Sequence, residues 1–260
     1  MPLAVQRGRE SFREDVDLSR AEFYRWLREG QALSTSTPAP GAFLEVYRRL
    51  TASGDSVISI HLLGQKSAVV STARMAAGML PGADITVVDG QNLSLALGYP
   101  VLQAARAARA GRSKAEILGL LAASVPQTRL LAAIPDLTRL RLSGRVNLAQ
   151  ALVAGLLHVK PILDVRAGEI AVLETVRAWP RAVARMIEAA AAAVAGRRVY
   201  VGVVHTDAPA AAAELVGRVA AHFRAAELRV AEAGPTLACH AGAGALALIT
   251  VPVLPGDAGP

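Results

Sequence analysis

Val57-Ile58-Ser59-Ile60-His61-Leu62, then the turn Leu63-Gly64-Gln65-Lys66, then the run from Ser67 to Leu80, decides the fold class. The first six residues alternate as a strand does, and the run after the turn has the length and composition of a helix. The pattern repeats at once, with a strand over residues 84–89 and a helix over residues 93–110. Strands interleaved with helices of this length predict a parallel, doubly wound sheet in the first half of the chain. Upstream, a short extended piece precedes a helix over residues 18–28. Asp17 is placed to cap that helix, and Phe23, Trp26 and Leu27 supply its apolar stripe. A Ser/Thr/Pro-rich loop, Ser34 to Gly41, leads into a helix ending near Leu50.

Downstream the rhythm changes. Residues 128–134 and 158–165 read as strands, and the turn Ala167-Gly168 predicts a hairpin into residues 169–175. An Ala-rich helix covers 179–195, followed by a strand at 198–204, a helix at 209–224 and strands at 228–232 and 246–253. A hairpin among helices predicts a mixed α+β unit. The expected division is therefore an N-terminal α/β domain over residues 1–127 and a C-terminal α+β domain over residues 128–260.

Hydrophobic residues make up 53% of the 260, but aromatics only 4%, so Ala, Val and Leu carry the interior. Small side chains leave room for a narrow apolar channel. Cys239 is the single cysteine, which excludes an intrachain disulfide and a Cys-based zinc site. His61, His158 and His222 fit no metal-ligand spacing, so no metal is expected. Met1 to Arg7 lacks the apolar segment of a signal peptide. Residues 233–256 carry no charge, but glycines, prolines and His240 interrupt them, which argues against a membrane span. A cytoplasmic location is the expectation. The net charge is +7, yet Lys and Arg are scattered apart from Arg139, Arg141 and Arg145, with no interleaved stacking aromatics. Nucleic acid is not expected as a partner.

Five positions stand out chemically. Thr35 and Ser36 lie among hydroxyls ahead of a helix, which reads either as a cap or as a cradle for an anion. Ser67 follows a strand and a turn, where polar groups are presented at a sheet's carboxyl edge. Its flanks match neither a phosphate-binding loop nor a nucleophile elbow. His240 sits in Cys239-His240-Ala241-Gly242-Ala243-Gly244, where an imidazole suits a partly desolvated acid and the glycines permit close backbone approach. In extended chain Cys239 and His240 would point opposite ways, against a local catalytic pair. Arg145 follows Gly144 and suits a turn or an anion contact. His205-Thr206-Asp207, before Pro209, reads as a helix cap.

Taken in order, these segments resemble the DegV family of bacterial fatty-acid-binding proteins over nearly the whole chain. The resemblance rests on Thr35-Ser36-Thr37-Pro38 with Pro40-Gly41, Ile58-Ser59-Ile60 then Ser67, and Val87-Val88-Asp89. It continues through Leu142-Ser143-Gly144-Arg145, Val159-Lys160-Pro161-Ile162-Leu163, and Gly234-Pro235 with His240 to Gly244. It implies two domains clasping one long-chain fatty acid in an apolar tunnel, with no other cofactor. Thr35, Ser36, Ser67 and His240 would hold the carboxylate, with Arg145 toward the anion or a partner surface. It also implies delivery to a separate fatty acid kinase that makes acyl phosphate for phospholipid synthesis, and transient contact with a membrane surface. The family's SGT motif reads Ser67-Ala68-Val69 here, and its HTGPG-like ending reads His240-Ala241-Gly242-Ala243-Gly244, so hydroxyls are lost at both. The family's usual first strand and DS-containing loop have no counterpart before Met1, which fits either a misplaced start or a shortened member with an exposed sheet edge.

Two other readings share these residues. In one, Ser67 is a nucleophile, His240 its base and Asp89 the orienting acid of a hydrolase or acyl transferase. In the other, the lipid is structural and the chain is a regulatory interaction protein.

Overall fold

The computed structural model describes residues 1–146, 159–255 and 257. The chain opens with a hairpin, β1 (Ala4–Arg7) to β2 (Glu10–Arg13), with Ala4 opposite Arg13. Helix α1 (Arg20–Arg28) follows, and its cap is Ser19, whose side chain accepts from Glu22 N, rather than the expected Asp17. Asp17 instead accepts from the Arg13 guanidinium at 2.7 Å. The chain then returns as β3 (Leu33–Ser36), which pairs antiparallel with β1, Val5 opposite Thr35. The first three residues of the expected Ser34–Gly41 loop, Ser34 to Ser36, are thus strand. These hydroxyl residues tolerate extended backbone, and a partner strand nearly thirty positions upstream satisfies them.

After α2 (Pro40–Thr51), strand β4 (Val57–His61), helix α3 (Val69–Gly78) and strand β5 (Ile85–Asp89) form the expected strand–helix–strand unit. The strands pair in parallel from Val57–Ile85 to His61–Asp89. Among the described residues this parallel sheet has two strands, fewer than a doubly wound sheet would show. Helix α4 (Ser94–Arg109) comes next, then α5 (Lys114–Ser124), which has no counterpart in the sequence reading. Ser113 and Glu116 start α5 with a capping box.

The remainder is built on one mixed sheet. Its elements are β6 (Arg129–Ala133), α6 (Leu137–Ser143), β7 (Lys160–Arg166), β8 (Glu169–Val176) and α7 (Trp179–Val194). Then come β9 (Arg198–His205), α8 (Pro209–Val219), β10 (Arg224–Glu232), α9 (Pro235–Ala241) and β11 (Leu246–Pro252). The strand order is β10-β9-β11-β6-β7-β8, with β9 and β10 parallel and the other pairs antiparallel. The β7–β8 turn falls at Ala167-Gly168, both at positive φ, as a two-residue hairpin requires. His158 lies outside the described residues, and the uncharged stretch from residue 233 resolves into α9, a glycine turn and β11. No helix among the described residues is long and apolar enough to cross a membrane.

The two faces of this sheet have different work. On β6, Leu131 and Ala133 face α7, packing with Ala182, Met186, Ile187 and Ala190. Each fully buried Leu, Ile or Met there contributes roughly 1.5–3 kcal/mol. Leu130 and Ala132, one step out of phase, belong to the other face with Ala96 and Tyr99 of α4. That second face is where the packing is incomplete.

Candidate ligand-binding site

A cavity of about 330 Å³ lies over this second face, floored by Leu130, Ala132, Leu163 and Val165. Such a volume sits at the low end of the usual range for small-molecule pockets, roughly 300–1,000 Å³. Its walls come from the β4–α3 turn, the start of α4, the end of α6, the β3 strand and α9. Most of its surface is apolar side chain.

The β4–α3 turn is fixed by a carboxylate. Asp89, at the end of β5, accepts from Gly64 N at 3.1 Å and from Gln91 N at 2.8 Å. Asn92 is buried and donates toward Thr128 O and Val165 O, while its carbonyl accepts from Leu63 N. These bonds set Lys66, Ser67 and Ala68 against the cavity.

His240 lies on α9, not on extended chain. One helical step apart, Cys239 packs with Phe23, Trp26 and Leu27, while His240 lines the cavity. Burial pushes the Cys239 thiol up to about 12. The glycines after His240 end the helix rather than approach a ligand. Gly242 and Gly244 sit at φ of +75° and +83°, and Gly244 N donates to Thr206 O at 2.6 Å. At the other end, the Glu14 carboxylate accepts from Thr236 N at 2.9 Å and from the Thr236 hydroxyl.

Thr35 Oγ1 and His240 Nε2 share a hydrogen bond of 3.1 Å. Burial, and secondarily the charge of Arg145, lower the His240 pKa to about 4. The imidazole is therefore neutral at neutral pH. Ser36 Oγ accepts from Gln6 at 2.8 Å, and Arg145 donates to Ser143 O at 2.6 Å. Ser67 Oγ receives a long bond, 3.4 Å, from Val69 N. All five positions singled out in the sequence, Thr35, Ser36, Ser67, Arg145 and His240, line the one cavity.

Lys66, Ser94 and Thr236 also line the cavity and belong to no motif, while Thr37 of the Thr35–Pro38 motif and Thr206 of the expected cap line it without a sequence signal for ligand contact. Ser94 is there because its backbone adopts a left-handed φ of +53° at the mouth of α4. His205 does not cap α8, whose N-cap Ala208 has no side-chain cap bond; its ring accepts from Ala208 N at 3.2 Å, and it borders the cavity. Of the apolar replacements, Ala68 and Ala241 line the cavity, whereas Val69 packs away from it against Phe43 and Tyr47.

A family model described as an uncharacterised protein, DegV family, matches residues 1–253. The chain belongs to the DegV family. A DegV domain-containing protein from Deinococcus radiodurans is 35% identical over 260 residues, covering 97% of this chain and 90% of its own. Among solved structures, a DegV family protein from Thermus thermophilus, described by its fatty acid binding, is 30% identical with a TM-score of 0.89. That match covers 97% of this chain and 91% of the other. DegV of Bacillus subtilis, described as a fatty acid binding protein, is 29% identical with a TM-score of 0.87, at the same two coverages. The α/β architecture with its mixed sheet is that of these DegV proteins.

Proposed function

We propose that this DegV chain carries one long-chain fatty acid in the cavity. Its carboxylate is held by Thr35, Ser36, Ser67 and His240, with Arg145 as a nearby cation. The observation that carries this reading is the Thr35–His240 hydrogen bond at the edge of a mostly apolar cavity. With Nε2–H donating to Thr35 Oγ1, the threonine hydroxyl hydrogen is left for the ligand. Each methylene moved from water into the cavity contributes about 0.8 kcal/mol, and the hydroxyls replace the water that the head group loses. The fatty acid binding described for the proteins from Thermus thermophilus and Bacillus subtilis supports the same ligand class.

As part of this reading, the chain divides at residue 127/128, catalyses nothing itself and works in the cytoplasm. It presents its acid to a fatty acid kinase feeding phospholipid synthesis, with transient membrane contact when loading. The hydrolase alternative has less support. His240 Nε2 is engaged by Thr35 rather than Ser67, and Asp89 is committed to the Gly64 and Gln91 amides rather than to an imidazole. Titration of delipidated protein with C14 to C18 acids tests the proposal. Saturable one-to-one binding supports it, and no binding across the series defeats it.

A further inference from the structure

Among the described residues lining the cavity, two are cations, Lys66 and Arg145, and none is Asp or Glu. The cavity is therefore built for negative charge, and the source of that charge preference can be narrowed. The Thr35–His240 pair brings no net charge at neutral pH, because His240 is neutral. Arg145 already donates to a main-chain carbonyl. Lys66 differs from both. Its ammonium stands 3.8 Å from a Glu169 carboxylate oxygen, beyond hydrogen-bond length. Glu169 is 65% exposed, whereas the Lys66 side chain is 29% exposed and lies on the cavity wall next to Ser67.

The base of Lys66 is rigid. Its own amide donates to Leu63 O at 3.3 Å, and the Asp89 carboxylate fixes Gly64. The β7–β8 hairpin that carries Glu169 is held beside this turn, with Gly168 N donating to Gln91 O at 2.9 Å. A Cβ at Gly168 would meet the Gln65 amide, so the hairpin tip rests directly on the turn. Only the flexible stem of Lys66 is left to move, between an exposed carboxylate outside and the cavity inside.

We propose that Lys66 is the counter-ion that selects a free carboxylate head group, leaving Glu169 for the ligand when the cavity fills. This deepens the fatty-acid reading and rests on it. The exchange is favourable because a loose, exposed ion pair is worth little. A hydrogen-bonded ammonium–carboxylate contact at a desolvated cavity wall is worth more. The site then distinguishes an acid from an alcohol of equal chain length by charge, while the apolar walls bind both chains alike.

The test compares tetradecanoic acid with tetradecanol on delipidated full-length protein and on Lys66→Met, Lys66→Arg and Glu169→Gln. The wild type prefers the acid by about tenfold or more. Lys66→Met loses that preference with its alcohol affinity kept, which also certifies its fold. Lys66→Arg retains the preference, and Glu169→Gln binds the acid as tightly or more tightly. An unchanged acid-to-alcohol ratio in Lys66→Met overturns the role of Lys66 alone. Failure of the wild type to bind either ligand overturns the carrier reading, and this inference with it.

Discussion

Thr35 and His240, 205 positions apart in the chain, meet through a 3.1 Å hydrogen bond that joins the N-terminal β3 strand to helix α9. The bond closes one corner of a largely apolar cavity. Thr35→Val keeps the shape and removes the hydroxyl. It is expected to weaken fatty-acid binding by about ten- to a hundredfold, the cost of a hydrogen bond to a charged group. Because the two residues act as one donor unit, the double change Thr35→Val with His240→Ala costs less than the sum of the single ones. Calorimetric titration of the four proteins checks this.

The buried imidazole also makes a pH signature. Burial first, then Arg145, lowers the His240 pKa from an ordinary value near 6.5 to about 4. Between those values the unfolded chain binds a proton at this residue that the folded chain does not. Stability therefore falls as the pH drops through that window, by up to about 1.4 kcal/mol per pH unit, and is unaffected by this group above it. In His240→Gln the contribution disappears. Urea unfolding of both proteins across pH 7.5 to 4 is expected to show the wild-type advantage shrinking on acidification, and a constant difference would rule it out.

Helix α9 depends on a residue from the N-terminal hairpin. Glu14 accepts from the Thr236 amide and hydroxyl at the start of the helix that carries His240. Glu14→Ala is expected to cost about 1 kcal/mol, the usual value of a lost cap, and to weaken ligand binding several-fold by loosening His240. A Cβ on Gly234 would run into the Glu14 carboxylate, so Gly234→Ala should reproduce both effects. Denaturant titration and fatty-acid binding together read them out.

Neighbouring alanines of β6 separate cavity from core. Ala132 floors the cavity, and Ala133 is fully buried against α7. Ala132→Phe fills empty space, so it should abolish binding while leaving the thermal midpoint unchanged or higher. Ala133→Phe overpacks a dense core and should cost about 1–3 kcal/mol or more. Thermal melts alongside ligand titration distinguish the two.

The β4–α3–β5–α4 unit was legible because its apolar alternation and helix lengths are local signals, and the β7–β8 hairpin because Ala167-Gly168 is a local turn. What escaped depended on distant partners. The Ser34–Ser36 segment has loop composition and becomes a strand only because β1 pairs with it. Seven-residue α9 is too short for a helical period to show, and its cap, Glu14, lies 222 positions from Thr236. Asp17 looked like a helix cap, but Arg13 claims it and Ser19 takes the role. Thr35, Ser36, Ser67, Arg145 and His240 stand out by local chemistry, and the family resemblance gives them a shared role. Lys66 and Ser94 belong to none of the family motifs, and only the folded turns bring them to the cavity wall.

The most direct measurement is mass spectrometry of the small molecules released when the purified protein is denatured. Wild-type protein should release close to one equivalent of a C14–C18 fatty acid, and Thr35→Val with His240→Ala should release little. A folded wild type that releases no fatty acid, and takes none up when it is offered, would contradict the assignment of this cavity to a fatty acid.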